Sequence, residues 1–103
     1  MLFLLLFSCS EKEKGKDAVL IGTWQTPNKS LTLNYKPEFV EITYLKGEQT
    51  FQMKGNWKTD KGFLLESVNG HTFKTKYKVE GEELTIQFQQ SKRPTRLYRV
   101  NKG

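Results

Sequence analysis

One cysteine, one histidine and three prolines are all that this 103-residue chain contains of those types. A lone Cys rules out an intrachain disulfide framework, and one Cys with one His cannot build a Cys/His metal cluster. Few prolines and no low-complexity run argue against disorder beyond the ends. The apolar run Leu2–Phe7 is far too short to span a bilayer, which takes about 20 residues. Helical periodicity is missing after Cys9. No Ser or Cys stands with an Asp in a recognisable nucleophile context. Glu66, Glu82 and Glu83 read as turn or strand-surface carboxylates without a paired acid/base arrangement. His71 follows a turn and is expected at an exposed strand end. No enzyme, metal or cofactor is therefore expected.

What the chain does have is a rhythm of two. Phe51, Met53, Gly55 and Trp57 alternate with Gln52, Lys54, Asn56 and Lys58. Phe73, Thr75, Tyr77 and Val79 alternate with Thr72, Lys74, Lys76 and Lys78, and Leu84, Ile86 and Phe88 with Thr85, Gln87 and Gln89. Such alternation specifies pleated strands with one dry and one wet face. Earlier in the chain, Val19–Thr26 reads as a first strand ended by Pro27-Asn28. Leu31, Leu33 and Tyr35 share one face of Ser30–Lys36, and Val40, Ile42 and Tyr44 one face of Glu38–Leu45. Lys46-Gly47-Glu48, Asp60-Lys61-Gly62, Asn69-Gly70 and Glu80-Gly81-Glu82 read as tight turns, and Thr95–Val100 as a last strand. Trp57/Tyr77, Thr59/Val79 and Leu64/Leu84 are each 20 residues apart, which marks two successive hairpins of like length rather than a solenoid. The aromatic share of 13% also favours β structure. About eight short strands joined by short turns predict an all-β, up-and-down antiparallel meander, closed or nearly closed into one small barrel that removes its own edges.

At the N-terminus the apolar run gives way to Leu6, Ser8 and Cys9. An aliphatic residue three before a Cys and a small one just before it resemble the lipobox of a bacterial lipoprotein precursor. The plainer alternative is an apolar, fraying N-terminus. The resemblance implies a signal peptide over 1–8, lipidation of Cys9, and a cell-envelope address. Ser10, rather than Asp, follows Cys9, and by analogy with lipoprotein sorting this points to the outer membrane. Residues 9–17 form a lipidated Cys and charged tether, its Glu and Lys alternating, and 18–103 the barrel domain.

Gly22-Thr23-Trp24 resembles the G-x-W of the first strand of lipocalins and their small bacterial lipocalin-like relatives. The resemblance implies that Trp24 plugs the closed end of a barrel and that a basic residue of the last strand, Arg96 or Arg99, packs over it. It also makes Trp57 and Tyr77 candidates for ligand contact or plugging. An eight-stranded barrel is barely wide enough for its own side chains or one small ligand. Trp24, Phe51, Trp57, Phe73, Tyr77 and Phe88 are expected to point inward and mostly fill it.

The formal charge is +6, from 17 basic and 11 acidic residues. That suits nucleic acid, anionic lipid or an acidic polymer as partner, and equally suits solubility alone. Lys74, Lys76 and Lys78 project from one strand face and Lys54 and Lys58 from another. Aligned by neighbouring strands they would form a basic stripe; the plainer reading is a solvated face that discourages edge pairing. Nucleic acid is not expected, because the aromatics needed for stacking fall on the face opposite the lysines. The expected protein is a monomeric, membrane-anchored binder of a small apolar or amphiphilic ligand or of an envelope protein. The alternative is a periplasmic inhibitor or interaction module acting through loops, without a ligand cavity.

Overall fold

The structure, a computed structural model, describes residues 16–88 and 91–100; Cys9 and the tether up to Gly15 lie outside the described residues. Eight antiparallel strands follow one another in chain order and close into a barrel. They are β1 (Gly22–Gln25), β2 (Leu31–Tyr35), β3 (Val40–Lys46) and β4 (Gln49–Asp60), then β5 (Phe63–Val68), β6 (His71–Glu80), β7 (Glu83–Gln87) and β8 (Thr95–Arg99). The fold is all-β, an up-and-down meander, and is consistent with a lipocalin-like barrel. Asn69 and Gly70 both take positive φ, the two-residue geometry whose twist suits the β5–β6 hairpin.

The first element differs from expectation. Val19 and Leu20 are not in a strand but in a 3₁₀ turn, Ala18–Leu20, whose start is capped by the Asp17 side chain accepting from the Val19 amide. The reason is geometric: the chain must cross the end of the barrel before joining its wall, and Leu20 is fully buried there. The core behind it comprises Trp24, Leu33, Tyr35, Val40, Trp57, Leu64, Leu84, Ile86 and Leu97.

β4 and β6 are long because each serves two neighbours. β4 pairs with β3 over Gln49–Gly55 and with β5 over Asn56–Asp60; β6 pairs with β5 over His71–Lys76 and with β7 over Lys76–Glu80. Gly55 sits at the changeover, where a Cβ would lie 2.3 Å from the Ser67 carbonyl oxygen. The same division corrects the expectation for Phe73. It holds the inward phase but is 55% exposed, because β7 pairs with β6 only from Lys76 onward and so offers no wall beside it.

Candidate functional site

The closed end is held by a cluster around Trp24. Its indole Nε1 donates to the Leu20 carbonyl at 2.9 Å, and the Arg99 guanidinium carbon lies 4.2 Å from the ring centroid. Arg99 also donates to the carbonyls of Ile21 (3.1 Å) and Val19 (3.0 Å) and pairs through Nε with Glu82 at 2.9 Å. A planar guanidinium with donors on several sides can stack and bond at once, which an ammonium cannot. Of the two arginines in the last strand, Arg99 is beside Trp24, in direct register with it. Arg96 stands on the outer face opposite Thr85. Gly22, at φ +136°, lies so close that a Cβ there would be 2.8 Å from Arg99 Nη1. Its spacing from Trp24 thus has a physical basis in this chain.

The N-terminal strap is stapled to the same end. The Asp17 amide donates to Thr59 Oγ1 at 2.9 Å, and the Tyr77 hydroxyl donates to Asp17 Oδ2 at 2.6 Å. Burial first, then the bond to and charge of Asp17, push the Tyr77 hydroxyl up to about 12, with Thr59 pulling the other way. Lys16 donates to the Pro37 carbonyl.

Inside the barrel, Trp57 is buried, edge-on to Tyr35 at 5.0 Å between centroids, and donates to the Lys36 carbonyl at 2.7 Å. Glu66 overturns its surface assignment. It is 8% exposed and accepts from the Tyr35 hydroxyl at 3.1 Å. Burial raises the carboxyl above its ordinary value, and the bond from Tyr35 works against that rise. Burial, followed by the neighbouring carboxylate, holds the Tyr35 hydroxyl well above its ordinary range. β5 is apolar on both faces, so its alternation left the phase open. The 20-residue echo does indicate it, since Glu66 corresponds to the inward Ile86 of the second hairpin.

The lysines do not form one stripe. Lys58 and Lys74 flank Leu65, and Lys76 and Lys78 continue along β6, Lys78 at 3.5 Å from Glu80. Lys54 is elsewhere, opposite Glu41 on β3 and 4.0 Å from the Phe39 ring centroid. A second correction concerns the aromatics. Phe63 lies on the outer face among the lysines, opposite Lys76, with the Lys74 ammonium 4.4 Å from its ring centroid. The inward positions of β5 are taken by Leu64, Glu66 and Val68, which leaves Phe63 outside. His71 is exposed at the start of β6.

Two open grooves lie among the described residues. One, of about 360 Å³, follows the polar outer face of β1 to β4, with Thr23, Asn34, Glu41 and Lys54 along it. The other, of about 370 Å³, lies where Phe63, Lys74, Lys76, Gln87 and Phe88 meet; Thr75, whose buried hydroxyl has no hydrogen-bond partner among the described residues, borders it. Among the described residues no three His, Cys, Asp or Glu side chains gather as a metal site. Comparison with family models, curated proteins and solved structures found no match.

Proposed function

We propose that the chain is a lipid-anchored cell-envelope lipoprotein, non-enzymatic, whose barrel is an interaction module working through its outer surface. The observation that supports this is how the interior is used. Trp24, Tyr35, Leu64, Leu84, Ile86 and Leu97 are fully buried against one another, and a barrel of eight strands has room for its own side chains or one small ligand, so side chains packed in this way occupy its middle. The grooves open outward instead. Native mass spectrometry of the purified Cys9→Ala chain, which carries no acyl group, should give the mass of the polypeptide alone; a stoichiometric non-covalent hydrophobic adduct would overturn the reading.

That adduct would favour a second reading, a binder of a small apolar or amphiphilic molecule. It draws support from the barrel end away from Trp24, where Phe73 is exposed and Tyr44 and Phe51 stack at 5.1 Å. The anchor is proposed on Cys9 and the apolar residues before it. At about 0.8 kcal/mol per buried CH₂, one acyl chain holds weakly, whereas two or three on one Cys hold durably. Labelled palmitate should enter the parent and not Cys9→Ala; incorporation untouched by the substitution would remove the anchor.

A further inference from the structure

Cations are unevenly spread over the outer wall. Across β1 to β4 the row Thr23, Asn34, Glu41, Lys54 carries one charge of each sign, and the row Gln25, Thr32, Thr43, Gln52 carries none. Across β4 to β8 the rows are Asn56–Ser67–Thr72, Lys58–Leu65–Lys74, Asp60–Phe63–Lys76–Gln87, Lys78–Thr85–Arg96 and Glu80–Glu83–Tyr98. The middle three of these rows hold five cations, Lys58, Lys74, Lys76, Lys78 and Arg96, against one carboxylate, Asp60, with two half-buried apolar side chains, Phe63 and Leu65, in their midst; Glu80 and Glu83 stand in the next row, where Glu80 pairs with Lys78. The Lys74 ammonium lies over the Phe63 ring, a cation–π contact within this face.

We propose that this face, centred on Phe63 and Leu65 and flanked by Lys58, Lys74 and Lys76, docks on an anionic phospholipid surface. Charge complementarity supports the occupant, and an apolar centre flanked by cations is the chemistry of a headgroup–acyl boundary. The groove beside Lys74 and Lys76 is open to a headgroup phosphate. Single-stranded nucleic acid fits less well: successive bases need several aromatic rings to stack on, and the three cationic rows offer Phe63 alone. The orientation rests on the anchored reading above. Cys9 precedes Lys16 by seven residues, which reach about 25 Å at most, so the barrel wall would be kept beside the bilayer.

The test uses the full Cys9→Ala chain, which carries no acyl group, so its outcome is separate from the palmitate experiment. Sedimentation with vesicles of equal parts phosphatidylcholine and phosphatidylglycerol should show tighter binding than with phosphatidylcholine alone; any pull from Leu2–Phe7 acts on both. Binding to the anionic vesicles should weaken about fivefold for each of Lys58→Gln, Lys74→Gln and Lys76→Gln and fall with added salt. Lys54→Gln should leave it unchanged, and Phe63→Ala should weaken it without altering the salt dependence. Circular dichroism checks that every variant is folded. Equal binding to both vesicle types, lysine variants that bind like the parent, or a tighter hold on a single-stranded oligonucleotide or polyglutamate than on the vesicles would overturn the proposal.

Discussion

A carboxyl turned into a packed barrel requires an answering donor, and for Glu66 that donor is the Tyr35 hydroxyl. Because burial raises the folded-state carboxyl above its ordinary value of about 4.3, the folded chain binds more protons than the unfolded one just above that value. Stability from this group is therefore full at lower pH and is lost as pH rises through the raised value. Glu66→Gln keeps an acceptor for Tyr35 and removes the titration. Urea unfolding across mildly acidic to neutral pH should show the variant gaining on the parent as pH rises; parallel curves would refute the assignment. Arg99→Lys keeps the charge but not the plane that stacks on Trp24, so it should cost about 1 to 2 kcal/mol in urea unfolding. The choice between Arg96 and Arg99 is legible in the last strand itself: Leu97 is apolar and inward, and Arg99 shares its phase. The depth of Glu66 is less so, since Phe63 and Leu65 compete with Leu64 and Val68 for the dry face of the same strand.

The β4–β5 and β6–β7 hairpins repeat one register. Trp57 faces Glu66 as Tyr77 faces Ile86, and Thr59 faces Leu64 as Val79 faces Leu84. Equal spacing along the chain already carries that likeness, because equal turns impose equal pairings. The change of partner along β4 has no such signal. Gly55 reads as a small member of an inward set, and only the approach of the Ser67 carbonyl shows why nothing larger fits. Gly55→Ala should destabilise by about 1 to 3 kcal/mol, seen as a lower urea midpoint; a neutral result would mean that the strands can separate there freely. The strap is a further element invisible to alternation. Tyr77→Phe removes its bond to Asp17 and should cost about 1 to 3 kcal/mol, as bonds to charged groups do. Protease cutting near Lys16 should quicken in that variant.

For the whole molecule the weakest join is its closure. β1 and β8 share the register pairs Trp24↔Arg99 and Gln25↔Tyr98, whereas β3 and β4 are in register from Val40↔Gly55 to Lys46↔Gln49. Hydrogen exchange should find the amides of the β1–β8 seam among the least protected of the ladder; protection equal to that between β3 and β4 would show the seam to be held by the Arg99 cluster rather than by its ladder. Alternation, turn residues and short connections determined the strand count, the meander and nearly all of the inward residues, because each depends on neighbours in the chain. Burial of Glu66, exposure of Phe73, the outward position of Phe63 and the separation of Lys54 from the other lysines were decided by the tertiary structure. Each depends on which strand lies across the sheet, and on where a long strand exchanges one partner for the next.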